Sequence, residues 1–299
     1  MSSAMAKRLS GKTIIITGAS SGIGRSTALE FSRTAEKNLR LILVARRSNQ
    51  LKELKELIER ETSATDKDVK VLCVPLDISQ RNEIKKFGEE LKAKSEWRNV
   101  DILVNNALVA RHPSLASSME SLTNVRGLVK GVDKSPNISQ EDIDIMFNTN
   151  VTGLIAMTQE ILPIFLAKGT GDIINVGSIA GREPYPGGSI YCATKAAVRS
   201  YTDALRKELI STRIRVIEID PGQVETEFSI VRFYGDKSKA DAVYTGCEPL
   251  TPDDIAEVIV FASGRRENVV LADTLIFPNH QVRYHGSQRE RFSLPHLFA

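Results

Sequence analysis

The sequence is poor in the residues that make crosslinks and hold metals. Its three cysteines, Cys73, Cys192 and Cys247, are far apart and form no CxxC pair. That argues against a disulfide framework or a thiolate metal site, and for a reducing compartment. The four histidines, His112, His280, His285 and His296, show neither HxxxH nor HExxH spacing, so no metal ligand set is visible. Neither sign of charge dominates, since 40 Lys and Arg against 37 Asp and Glu leave a net charge of +3, with the basic residues scattered. Neither nucleic acid nor a membrane surface is expected as a partner. The opening residues, MSSAMAKRLSGK, lack the apolar core of a signal peptide. The longest apolar stretch, GLIAMTQEILPIFLA, is interrupted by Gln159 and Glu160, which reads as a buried helix rather than a membrane span. A cytoplasmic protein is expected, with the nucleus open to it by diffusion.

What is present is a regular alternation. Short apolar runs at 12–17 (KTIIIT), 41–45 (LILVA), 69–76, 100–104, 172–176, 214–219 and 270–277 give seven strand candidates. Amphipathic segments separate them; one places Leu51, Leu54, Leu57 and Ile58 on a single face. Strands apolar on both faces and separated by helices predict a parallel sheet covered on both sides. No repeat or composition shift marks a boundary. One doubly wound α/β domain of Rossmann type, with a seven-stranded parallel sheet, is therefore expected over 1–299, its core at about 12–278. Two stretches depart from this regularity. The segment between Asn105 and Ser139 is aperiodic and longer than a loop in a compact domain ordinarily is. Residues 281–299 are polar, rich in arginine, and read as a loose tail.

Several motifs carry chemistry. Gly18, Ser20, Ser21, Gly22, Ile23 and Gly24 form a GxxxGxG turn between the first strand and a helix. Glycines there let backbone approach a pyrophosphate, and the helix N-terminus offers unpaired N–H groups to its oxygens. At the end of the second strand stand Arg46 and Arg47, where a site for NAD usually places an acid; a guanidinium pairs well with a 2′-phosphate, which favours NADP. Either arginine could instead sit on a solvated helix start, a reading that suits Arg47 better. Asp77, followed by Ile78, either accepts from adenine or caps the helix near Ser79. Asn105, in Asn105-Asn106-Ala107, either contacts a ribose or satisfies loop backbone. Asn150, in NTNVTG, is a buried asparagine that needs partners. Tyr191 and Lys195 share a helix face at i and i+4, after Ser178, and a lysine beside a phenol lowers its pKa from about 10. Cys192 points about 100° away round that helix and reads as packing.

Together, TGASSGIG, NNA, NTNVTG, Ser178, YCATK and DPGQVET resemble the short-chain dehydrogenase/reductase family in order and spacing, over about 12–278. The resemblance implies that Tyr191 is the catalytic acid/base and that Lys195 lowers its pKa and bonds the nicotinamide ribose. It implies that Ser178 holds the substrate oxygen and that Asn150 orders a water in a proton relay. The turn residues, Arg46, Arg47, Asp77, Ile78, Asn105, Ala107, Pro221, Gly222, Val224 and Thr226 would line NADP, together with Tyr191 and Lys195. GDIINVGSIAGREPYPGGSIYCATK, ELISTRIRVI and VETEFSIVRF are similar to the branch that oxidises 3-hydroxy acids such as serine, allo-threonine and 3-hydroxybutyrate. That implies a small anionic hydroxy-acid or carbonyl substrate, for whose carboxylate Arg182 is one candidate, a surface role being the other. Phe228 and Tyr234 are read as lid or core residues. The resemblance further implies a homotetramer that pairs helices near 139–167 and 188–211.

One departure stands out: NNA is followed by Leu108, and the family's continuation reappears as Gly127-Leu128-Val129-Lys130-Gly131. Residues 108–126 are therefore read as an insertion or a translated, unspliced intron. Two alternatives to a hydroxy-acid dehydrogenase arise. One is a broad-range carbonyl or sugar-alcohol reductase on the same scaffold; the other is an NADP-binding protein impaired by 108–126.

Overall fold

The computed structural model describes residues 3–63, 65, 67–107, 135–226, 248–279 and 281. Residues 108–126, Phe228, Tyr234 and the tail beyond Gln281 lie outside the described residues. The strands are β1 (Thr13–Thr17), β2 (Leu39–Ala45), β3 (Val69–Pro75), β4 (Ile102–Asn105), β5 (Thr170–Val176), β6 (Arg213–Pro221) and β7 (Asp273–Ile276). They form one sheet in the order β3-β2-β1-β4-β5-β6-β7, and every pairing is parallel. The Rossmann-type α/β architecture expected from the sequence is the one observed. The helices are α1 (Ala4–Leu9), α2 (Gly22–Thr34), α3 (Ser48–Ser63), α4 (Arg81–Ala93), α5 (Gln140–Phe147), α6 (Leu154–Lys168), α7 (Ser189–Glu208) and α8 (Pro252–Ser263).

Successive side chains on a strand point to opposite faces, so β1 serves two cores. Ile14 and Ile16 pack with Phe31, Leu51 and Ile255 of α2, α3 and α8; Ile15 packs with Phe87, Met157, Phe165 and Leu205 of α4, α6 and α7. All three isoleucines are fully buried, each contributing about 1.5–3 kcal/mol. The chain runs outward from β1 to β3, then crosses to β4 on the other side of β1. That reversal leaves a crevice at the carboxyl ends of β1 and β4.

Several boundaries differ from expectation: β4 begins at Ile102, β5 at Thr170, and β6 runs on to Pro221. β2 begins at Leu39, and β7 is confined to Asp273–Ile276. Ahead of β7, Arg215 Nη1 donates to the Val269 carbonyl at 3.0 Å, and the Ala272 carbonyl accepts both from the Glu218 N–H of β6 at 3.1 Å and from Arg206 Nη2 at 2.6 Å. Between α5 and α6 the segment Asn148–Gly153 is a π-helical turn. The continuous helix Gln140–Lys168 is long and apolar enough to cross a membrane by length and composition. In the fold, its Leu154, Met157, Ile161 and Phe165 are buried.

Candidate active site

The glycine turn closes the carboxyl end of β1. Gly18 has φ +69, and a Cβ on it would lie 2.8 Å from Ala107 Cα; a Cβ on Gly24 would lie 2.4 Å from the Gly18 carbonyl oxygen. Both positions exclude any side chain. Ser21, the residue before α2, makes no side-chain bond to the helix end, so its hydroxyl leaves the leading N–H groups uncapped. The β4 loop is fastened to this turn: the Asn106 and Ala107 N–H groups each donate to Thr17 Oγ1 at 3.0 Å, and Asn106 Nδ2 donates to the Thr17 carbonyl at 3.1 Å. Asn105 instead faces inward, donating to Thr158 Oγ1 and Asn175 Oδ1 at 3.0 Å each.

The two arginines after β2 go to different places, Arg47 to the glycine turn and Arg46 to Asp77 after β3. Arg47 donates to Ser21 Oγ at 2.6 Å and to Ser20 Oγ at 3.2 Å, so it is not a free helix-start residue. Arg46 Nη1 lies 3.9 Å from Asp77 Oδ2; burial lowers its pKa, with Asp77 opposing. Asp77 Oδ1 accepts from the Ser79 N–H at 3.0 Å. Ser79 itself does not cap α4, because the residue before that helix is Gln80. Ile78 is buried, and its carbonyl would lie 2.3 Å from a Cβ on Gly153, which locks this loop against the π-helical turn.

Ser178 follows the carboxyl end of β5, where Lys195 reaches the Val176 carbonyl, and Asn150 bonds the helix that carries Tyr191 and Lys195. Ser178 starts a short 3-10 turn, its Oγ accepting from the Ala180 N–H at 3.1 Å. Tyr191 and Lys195 lie in the first two turns of α7, both buried. Lys195 Nζ stands 5.9 Å from the centre of the Tyr191 ring and donates to the Val176 carbonyl at 2.8 Å. Burial draws its pKa from 10.5 down to about 8, while Asp220 and Glu218 pull the other way. Among the described residues the Asn150 side chain bonds no helix carbonyl. Its Nδ2 donates to Thr194 Oγ1 at 3.2 Å, and its Oδ1 is buried with no partner among the described residues. Thr194 Oγ1 in turn donates to the Tyr191 carbonyl at 2.8 Å, which ties Asn150 to the tyrosine's own helix turn.

The segment after β6 crosses the crevice. Pro221 ends the strand, the Gly222 N–H donates to the Ile276 carbonyl at 2.7 Å, and Val224 bridges to Leu250. Thr226 Cγ2 comes within 3.5 Å of an ideal Cβ on Gly22, so this segment reaches the start of α2. Gln281, expected to begin a loose tail, is buried, and its Oε1 accepts from the Gln223 N–H at 2.7 Å. Arg182 is committed elsewhere than to a substrate carboxylate: Nε donates to Asp220 Oδ2 at 2.7 Å and Nη2 to Asp273. Glu218 and Thr194 were not singled out in the sequence, and Asp220 was only as part of the Asp220-Pro221-Gly222 segment that the family resemblance sets beside the nicotinamide. The available signal was two acids at i and i+2 in a strand otherwise buried on both faces.

Residues 12–233 match the short chain dehydrogenase family. The chain belongs to that family. It is accordingly an oxidoreductase acting on CH–OH groups. It is 52% identical over 274 residues to the NADP-dependent 3-hydroxy acid dehydrogenase of Schizosaccharomyces pombe, covering 92% of this chain and 95% of that one. It is 34% identical to sulfoacetaldehyde reductase 2 of Chromohalobacter salexigens, covering 90% of this chain and 94% of the other. The closed form of a serine dehydrogenase complexed with NADP+ superposes with a TM-score of 0.76 at 34% identity, covering 92% of this chain and 98% of that one.

Proposed function

We propose that the protein is an NADP-dependent dehydrogenase of short 3-hydroxy acids such as serine, allo-threonine or 3-hydroxybutyrate. The observation that carries the reading is the buried Lys195 ammonium, 5.9 Å from the Tyr191 ring, at the crevice beside the glycine turn. The residues present fit NADP: a turn where Gly18 and Gly24 admit no Cβ, an uncapped α2 N-terminus, and Arg46 and Arg47 for a 2′-phosphate. Gly22, Ile23, Ser20, Ser21, Asp77, Ile78, Ala107, Pro221, Gly222, Val224 and Thr226 complete the proposed lining, while the Asn105 amide is turned away from it.

The bound nicotinamide supplies the hydride acceptor or donor. In oxidation, the Tyr191 phenol oxygen takes the proton of the substrate hydroxyl, and in reduction it returns it. Ser178 Oγ donates to the same substrate oxygen, holding it against the phenol as charge develops. The Lys195 ammonium favours the phenolate and bonds the ribose. The unpaired Asn150 Oδ1 supports its role as a water holder in the relay to Lys195.

The test is NADPH formation followed by absorbance, with serine, allo-threonine and 3-hydroxybutyrate. Turnover of at least one of them is expected. Tight NADP binding without turnover of any hydroxy acid or carbonyl would refute it. The likeness to an aldehyde reductase supports a second reading, reduction of small anionic aldehydes, distinguished by NADPH consumption with such substrates. Family likeness also supports a homotetramer paired through the helices near 139–167 and 188–211; sedimentation tests that state.

A further inference from the structure

Behind Lys195 lies a group of buried charges that the proposed hydride transfer does not use. Glu218 and Asp220 are two residues apart on β6 and therefore on one face of the strand. They are 2% and 1% exposed. They converge on Gly177, where an ideal Cβ would lie 1.9 Å from Asp220 Oδ1 and 2.9 Å from Glu218 Oε1. Those two oxygens are thus neighbours, and neither has a hydrogen-bond partner among the described residues. The other Asp220 oxygen accepts from Arg182 Nε at 2.7 Å, and Arg182 continues to Asp273. The charged groups facing the pair are Lys195 from α7, Arg182 from the turn after β5, and Asp273 from β7.

Two ionised carboxylates in this place would repel each other in a dry interior, with no donor between them. One proton removes both faults, because a carboxylic acid donates where a carboxylate can only accept. We propose that Glu218 and Asp220 share a single proton behind Lys195, so that the pair presents one negative charge to the ammonium and keeps it cationic. The pair is then a positioning device for Lys195, and Gly177 is the residue that makes room for it. This rests on the reading of Lys195 as the partner of Tyr191. Burial first, and then Asp220, push the Glu218 carboxyl up to about 8, which places the proton on Glu218 at neutral pH.

Two measurements test the idea. Glu218→Gln keeps the shape of the protonated acid. Infrared difference spectra of parent against E218Q at pH 7 are expected to show the carbonyl stretch of one protonated carboxyl, lost in the variant and lost in the parent at high pH. No such band would overturn the shared proton, whether or not any hydroxy acid is turned over. The second measurement is the pH profile of kcat/KM for oxidation. E218Q leaves the acidic limb in place, because Asp220 keeps the charge. The double variant E218Q/D220N moves the limb up by about one pH unit, roughly a tenfold loss below it. E218Q moving the limb as far as the double variant, or a double variant whose limb stays put, overturns the assignment.

Discussion

Replacing Lys195 with methionine should make the protein more stable and nearly inactive. Burial draws the lysine from 10.5 to about 8, and each pH unit is worth about 1.4 kcal/mol. Keeping the ammonium charged in the folded state at pH 7 therefore costs about 3 kcal/mol. Methionine fills a similar volume without charge and forfeits only the bond to the Val176 carbonyl, about 1 kcal/mol. The net gain is about 2 kcal/mol, or roughly 4–8 °C in Tm. The sign of the pH dependence comes from linkage. The folded pKa lies below the unfolded one, so between about 8 and 10.5 the unfolded chain binds more protons and the parent gains stability as pH rises. The advantage of the variant is thus fully present below pH 8 and is lost by about 10.5. Thermal unfolding of both proteins across that range gives the comparison. A parent more stable than the variant at pH 7, or an offset that does not change with pH, refutes the reasoning. Turnover should fall by roughly 10²-fold or more, because the phenol loses its cation.

Other perturbations draw on the same geometry. Tyr191→Phe should abolish turnover and leave NADP affinity within about twofold, read by fluorescence titration; retained activity would remove the tyrosine from its role. Gly24→Ala puts a Cβ 2.4 Å from a backbone oxygen, so a loss of about 1–3 kcal/mol in stability and a weaker NADP complex are expected by calorimetry. Arg46→Asp should move cofactor preference towards NAD by about tenfold, about 1.4 kcal/mol. An unchanged preference after that substitution, with a loss in Arg47→Ala, would assign the 2′-phosphate to the arginine held by Ser20 and Ser21.

The layers of this fold were legible because β1, β2 and β5 are enclosed on both faces, and enclosure leaves a plain apolar signature in the residues. The Tyr191–Lys195 pair was legible because helical spacing alone puts both on one face. β6 was harder to read. Arg215, Glu218 and Asp220 are all buried in it. Arg215 and Asp220 are tolerated there through partners far away in the chain, Asp172 for the first and Arg182 for the second. Arg182 itself illustrates the limit, since its sequence neighbours gave no hint that two aspartates hold it. The residues just before β7 are likewise held from far away in the chain, Val269 by Arg215 and Ala272 by Arg206 as well as by the Glu218 N–H. The inward turn of Asn105 depends on Thr158 and Asn175, and local spacing carries no record of either.

The π-helical turn at Asn148–Gly153 has a consequence for how this chain tolerates change. A π turn holds one residue more than the α-helical turn it replaces, and that residue rotates the helix before it by about 100° relative to the helix after it. It lets one continuous rod keep two separate phases: Met146 and Asn150 belong to the first, while Met157, Ile161 and Phe165 stay seated on the sheet in the second. Point substitutions across the turn leave both phases intact, except at Gly153, where a Cβ would meet the Ile78 carbonyl. Removal of a single residue there merges them, and the sheet-facing half, with the larger buried surface, decides which survives. The asparagine would then be swung out of the crevice while its letter in the sequence remained, so within this turn residue count is under tighter constraint than residue identity.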